Sequence, residues 1–288
     1  MANDNRAELR QIVAQITSID PVVAIDLAAV ANGLSAIDVR EAQLATAATS
    51  VAAQPSKIAL IGVYGALTPR GSWYGSSLTG IAELASRAES DPDVASAIVD
   101  VDSPGGTVAA TMEAASAIAS LASKKPVVAV VNTLAASAAY WIASQASEIV
   151  MTPSADVGSI GAMIMHQDIS EMLKQWGIDI TIIRSSQSPL KNESHPFAPL
   201  SDDAHAFLQS RADSAGADFI KAVALGRKVT QSKVRDEFGQ GRVFGTREAL
   251  ARGMADRSAT LGQVISEMLP KPATRSNASR RRSTLAFE

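Results

Sequence analysis

The chain of 288 residues contains no cysteine and only 3 histidines. The missing thiols exclude a disulfide framework, a thiolate zinc site, an iron–sulfur cluster and a cysteine nucleophile. His166, His195 and His205 are too scattered to suggest a histidine-rich metal site. Long apolar runs are also lacking. No stretch approaches the roughly 18 uncharged apolar residues that span a bilayer. The first 15 residues spread their charges and lack the basic-then-apolar order of a signal peptide. Excess charge of one sign is lacking too: 26 Lys+Arg face 29 Asp+Glu, a net charge of -3. A protein that lives on nucleic acid needs a basic face, so that class is disfavoured. A soluble, cytoplasmic protein is the expectation. The hydrophobic fraction of 47% is too high for a disordered chain, and the length suffices for one large domain or two small ones.

Three regions differ in composition. Residues 1–55 are rich in alanine, with apolar residues at helical spacing (Leu9, Ile12, Val13, Ile16). They read as a helical N-terminal extension, with helices to about residue 20, over 22–31 and over 36–53, closed by Gln54-Pro55. From residue 56 to 270 short apolar runs alternate with helical patterns. Strands are expected at 58–63, 95–101, 126–131 and 148–151, and helices at 78–90, 107–123 and through Trp141. That alternation implies βαβ units and a mostly parallel sheet in an α/β domain. Further on, 161–165 and 178–183 read as strands, 169–176 as a helix, and 185–199 as a polar loop. A long helix is expected to about Lys228 with Ser201 as N-cap, and a short one at 246–252 ending at Gly253. The segment 271–288 holds Lys271, Arg275 and Arg280 to Arg282 against Glu288, a charge of +4 on a body of -7. It reads as a basic, disordered tail, and its arginines are a candidate self-cleavage site.

Three stretches could carry chemistry. Asp102-Ser103-Pro104-Gly105-Gly106-Thr107 stands where a strand ends and a helix is expected. Glycines there can turn backbone N–H groups toward an anion, as an oxyanion hole does, although Pro-Gly pairs also mark ordinary turns. Leu134-Ala135-Ala136-Ser137-Ala138-Ala139-Tyr140 places one serine among small residues after a buried strand, as a nucleophile or as a helix N-cap. A G-x-S-x-G elbow is absent. A serine nucleophile needs a base. His166 is one candidate and Lys191, in the loop Ser188-Pro189-Leu190-Lys191-Asn192, the other. A lysine serves as a base only when its surroundings favour the neutral amine.

Together with Asp156-Val157-Gly158-Ser159-Ile160-Gly161 and the late Ala249-Leu250-Ala251-Arg252-Gly253-Met254-Ala255-Asp256, these motifs resemble the S49 family of serine peptidases. That family comprises the signal-peptide-peptidase-A-like enzymes and their bacteriophage head-maturation relatives. The resemblance runs from about Ile58 to Leu269. It implies a ClpP/crotonase-like fold, Ser137 as nucleophile, and Lys191 as general base of a Ser/Lys dyad, a mechanism that requires no metal and no organic cofactor. It also implies Ser159 as the hydroxyl that orients the lysine, and the backbone N–H groups of Gly106 and Ala138 as the oxyanion hole, with Gly105 shaping that loop. Ala138-Ala139 departs from the glycine frequent in the family, and only the Ala138 N–H is needed. The resemblance further implies a soluble processor of phage scaffold or capsid proteins, a homo-oligomeric ring, and a host-cytoplasmic or procapsid location. Two other functions fit the same residues: a crotonase-like acyl-CoA enzyme, which would place an acidic residue in the site, and a non-catalytic capsid scaffold component. A basic tail could also meet nucleic acid or anionic partners, but a solvated tail is the simpler expectation.

Overall fold

The computed structural model describes residues 57–269 together with the backbone of Ala24–Ile25. The expected helical extension and the basic tail therefore lie outside the described residues, apart from those two positions. There, where a helix was expected, Ala24–Ile25 form a short strand (β1) paired antiparallel with Ile58 and Ala59.

The central strands are β2 (Lys57–Leu67), β3 (Val94–Gly106), β4 (Val127–Ala136) and β5 (Glu148–Met151), and each neighbouring pair is parallel. The sheet runs β1-β2-β3-β4-β5-β8, where β8 is Arg257–Ser258. A short branch leaves the C-terminal end of β4: β6 (Asp156–Gly158) pairs with it in parallel, and β7 (Val243–Gly245) closes antiparallel on β6. Helices α1 (Leu78–Ser90), α2 (Thr111–Lys124) and α3 (Ala138–Ala143) are the crossovers between successive strands. After α4 (Ser170–Gln175) come the long α5 (Asp202–Gly226), α6 (Gln231–Glu237), α7 (Thr246–Arg252) and α8 (Leu261–Met268). This is the α/β architecture of βαβ units that the sequence pattern implied.

Strand periodicity explains the two cores. Alternate residues of a strand face opposite sides. Ile61 and Val63, Val99 and Val101, Ala129 and Val131, and Ile149 and Met151 enter the large core under α1, α2, α3 and α5. Their neighbours Ile58, Ile98, Val128, Val130 and Val150 meet Val264 of α8 on the other face. Strands buried on both faces read as continuous apolar runs rather than alternations.

Beyond the reach of α8 that second face turns polar. Asp100 is 7% exposed, accepts from the Tyr64 hydroxyl at 2.7 Å, and accepts from the Asn132 amide. Burial raises its carboxyl above the ordinary range, and the two donors only partly offset that. Burial, and then the Asp100 charge, raise the Tyr64 phenol as well. A carboxylate raised by folding contributes stability that is complete below its unfolded pKa of about 4 and is lost as pH climbs through the folded value. Asp100→Asn keeps the shape and removes the charge. Its Tm should exceed that of the parent by about 2–4 °C at pH 7–8, the shift about 1 kcal/mol gives a domain of this size. The gain should vanish near pH 4. Thermal unfolding over that range checks it, and a lower Tm at pH 8 would refute it.

Two expected strands are not formed. Residues 161–165 and 178–183 pair with nothing among the described residues and lie largely exposed, with Met163 90%, Met165 86% and Ile183 91% accessible. Ile178, Ile180 and Ile182 supply strand propensity but have no ladder to join, and propensity without a partner does not make a strand.

Candidate active site

The site is built where β3 and β4 end side by side. Ser103-Pro104-Gly105-Gly106 was expected as a tight loop at a helix N-terminus. Instead it continues β3, and α2 begins only at Thr111, after Ala110. Helix-dipole help at Gly105 and Gly106 is thereby removed. The positioning comes from the neighbouring strands. Ser103 is fully buried; its hydroxyl donates to the Gly65 carbonyl at 2.6 Å and accepts from the Gly105 N–H at 3.1 Å. Thr107 N donates to Leu67 O at 3.0 Å. In a ladder successive residues face opposite edges, so the Gly106 N–H points away from β2, toward β4 and Ser137.

Both glycines are required sterically. A Cβ on Gly105, whose φ is +96°, would stand 2.7 Å from Ser137 Cβ and 3.0 Å from Ala138 N. A Cβ on Gly106 would stand 1.8 Å from the carbonyl oxygen of Leu67 and 2.7 Å from its nitrogen. Main chain cannot yield as a flexible side chain can. Gly106→Ala must therefore pry the end of β3 from β2 and swing the Gly106 N–H off line. If the Gly106 N–H is the oxyanion donor that the resemblance implies, its loss costs on the order of 10²–10³ in rate. Peptide hydrolysis by this variant should fall by at least that factor, with a lower Tm. Parental activity would contradict the role given to the strand end.

Ser137 follows β4 and precedes α3 with φ 52° and ψ -127°, the backbone of the first corner of a type II′ turn. A non-glycine residue there carries strain and is held by its surroundings. The Ser137 N–H donates to Gly158 O at 2.9 Å, and its carbonyl accepts from Trp141 N at 3.0 Å. The Ser137 amide is thus spent on β6. The next N–H, that of Ala138, is the first of a helix and has no intrahelical acceptor. The half-buried Ser137 side chain opens on a small cleft that Gly106, Ala138, Trp141, Gly161, Ala215 and Phe219 help to line. Of the six expected site residues, Gly105, Gly106, Ser137 and Ala138 thus come together.

Ser159 is close in the chain, one residue past the Gly158 that holds Ser137. It also has a left-handed backbone (φ 54°), and its N–H donates to Arg242 O at 2.8 Å. Lys191 lies in an exposed turn; its N–H donates to Ser188 O at 3.2 Å, and its carbonyl accepts from Arg184 Nε at 2.6 Å. Among the described residues no hydrogen bond joins its amine to Ser137 or Ser159. The rival base, His166, is half-buried, and its Nε2 bonds the carbonyl of His195 at 3.1 Å.

The structure adds contacts that the motifs did not foretell. The Tyr140 hydroxyl donates to Met254 O at 2.9 Å, fixing α3 to the segment before β8. Asp256, the last residue of the late motif, receives both guanidinium nitrogens of Arg227 at 2.9 and 2.7 Å, and the Ile149 N–H at 2.7 Å. Burial alone would raise its carboxyl, but the guanidinium and that N–H outweigh burial and hold it below the usual range. The motif's aspartate therefore clamps the end of α5 to β5. Spacing alone offered no signal for this, because Arg227 lies 29 residues away.

Residues 119–272 match the model of Peptidase family S49, which is more than half of the chain, and the chain belongs to that family. Ser137, Ser159 and Lys191 fall inside the matched stretch, and Gly105 and Gly106 just before it. The chain is 32% identical over 229 residues to the capsid assembly protease C of Escherichia phage lambda, covering 80% of this chain and 51% of that protein. It is 32% identical over 206 residues to the head-tail preconnector protein GP5 of Enterobacteria phage P21, covering 72% of this chain and 40% of that protein. The chain thus spans about half the length of the curated relatives it matches. A solved structure of the 1510-N membrane-bound stomatin-specific protease superposes with a TM-score of 0.48 at 19% identity, over 73% of this chain and 82% of that one. Among the described residues no helix is long and apolar enough to cross a membrane.

Proposed function

We propose that this protein is a serine endopeptidase that processes phage scaffold or capsid proteins, working in the procapsid or the host cytoplasm as a homo-oligomeric ring. The observation that carries the reading is the backbone of Ser137. It is a lone serine held in a strained left-handed turn, with the outward Gly106 N–H on one side and the unpaired Ala138 N–H next to it. Membership in Peptidase family S49 and the names of the phage relatives support the substrate class.

The chemistry follows from the residues. The Lys191 amine, acting as base, takes the Ser137 hydroxyl proton as Oγ attacks the peptide carbonyl. The new oxyanion is held by the Gly106 and Ala138 N–H groups. The C–N bond breaks and the proton passes from the lysine to the leaving amine. Water, deprotonated by the same lysine, then releases the acyl group and restores the serine. Ser159 is the hydroxyl assigned to orient the lysine. In a ring, the lysine can come from the same chain or from a neighbour. The acyl-CoA alternative is disfavoured because no carboxylate is among the residues that line the cleft.

The test is product mapping. The full chain is incubated alone and with candidate scaffold and capsid proteins, and the cut sites are read by intact-mass spectrometry. Products that require Ser137 support the reading. The absence of any serine-dependent product from every candidate overturns it and leaves the assembly role.

A further inference from the structure

A peptide whose carbonyl sits against Gly106 and Ala138 must place the neighbouring side chain in the space beside Ser137. That space is closed below by Trp141, four residues after Ser137 and so on the same face of α3. Trp141 is 3% exposed and cannot retreat, because its ring is stacked on Phe219 of α5, with centroids 4.7 Å apart and planes within 13°. Phe219 is itself 2% exposed. Ala215 lies four residues before Phe219, on the same helix face, and reaches the same cleft. The cleft is narrow: only about 10 Å³ of it admits the centre of a water molecule, about what a single water needs. No charged side chain is among the residues that line it.

We infer that Trp141, Phe219 and Ala215 form a closed floor that restricts the residue bearing the attacked carbonyl to alanine or glycine. The inference rests on the peptidase reading and deepens it, because it names the substrate class by side-chain size. Helix α5 supplies two of the three residues, so specificity is set by an element that carries none of the assigned catalytic groups.

The experiment uses the full chain and a set of peptides identical except for Gly, Ala, Leu or Phe at the position before the cut. The chain is treated in parallel with a serine-directed fluorophosphonate. Pocket discrimination of this kind is worth about tenfold to two-hundredfold. The alanine peptide should exceed the leucine peptide by about tenfold or more in kcat/KM, and the phenylalanine peptide by about a hundredfold. Phe219→Leu, which unstacks Trp141, should shift the ratio toward leucine by about tenfold. Ala215→Leu, a good helix former at a half-buried position, should fill the cleft and depress the alanine peptide more than the glycine peptide. It keeps the test decisive if Phe219→Leu does not fold, and circular dichroism checks both variants. Equal cleavage of all peptides, or an unchanged ratio in Ala215→Leu, overturns the inference. If the probe labels Ser137 while preference is flat, the peptidase reading stands and the floor does not. If the probe fails and no peptide is cut, both fall.

Discussion

Ser137→Ala should reduce peptide cleavage by on the order of 10⁴-fold or more, which in a product-mapping assay is complete loss. The fold should be unaffected. The hydroxyl makes no hydrogen bond among the described residues, and the two bonds that hold the turn, from Ser137 N to Gly158 O and from Trp141 N to Ser137 O, are main-chain bonds that alanine keeps. Alanine is unbranched at Cβ and so adds no penalty to the left-handed backbone that serine already bears. The Tm should therefore stay within about 2 °C of the parent, below the shift that about 1 kcal/mol produces in a domain of this size. The pairing of the two readouts gives the test its force. Lost cleavage with unchanged unfolding identifies a nucleophile, whereas lost cleavage with a fallen Tm would identify a structural serine.

Lys191→Ala should lower the rate by about 10²–10⁴, the usual worth of a positioned general base, and His166→Ala should leave most of it. The geometry separates the two residues. His166 is committed through Nε2 to a main-chain carbonyl, so its removal disturbs the 195–197 turn and not the serine. Lys191 stands in an exposed turn whose backbone is stapled by Arg184, so the proposed dyad requires its amine to reach Ser137 by rearrangement of the loop or from a neighbouring chain. Mixing Ser137→Ala with Lys191→Ala protein sharpens the result. Activity regained in the mixture means that the lysine crosses between chains, and its absence means that the dyad is made within one. The reverse pattern, with His166 essential and Lys191 dispensable, overturns the dyad.

The central sheet was legible because parallel strands buried on both faces need continuous apolar runs, and Ile58 to Val63 and Val127 to Val131 supply them. The serine was legible from its small neighbours, though its strained backbone was not, since β6 imposes it from outside the motif. Pro104-Gly105 misled in the other direction. Such a pair usually breaks a strand, but here Leu67 and Ala136 press on the glycines from both sides and keep β3 extended. The alternating isoleucines at 178–183 advertised a strand that has no partner among the described residues. The short β6 and β7 offered three residues each, too few for any period to show. Ala215 and Phe219 carried no signal in the sequence, and only the fold reveals that the face they share with Trp141 is also the bottom of a cleft.

The turn at Ser137 also limits which nucleophiles fit there. Three unbranched or branched side chains can attack a carbonyl through a heteroatom on Cβ. Cysteine, unbranched like serine, fits a φ of 52°. Threonine does not, because a second substituent on Cβ crowds a left-handed backbone. The turn thus favours oxygen or sulfur on a single stem, and this chain, which holds no cysteine anywhere, uses oxygen.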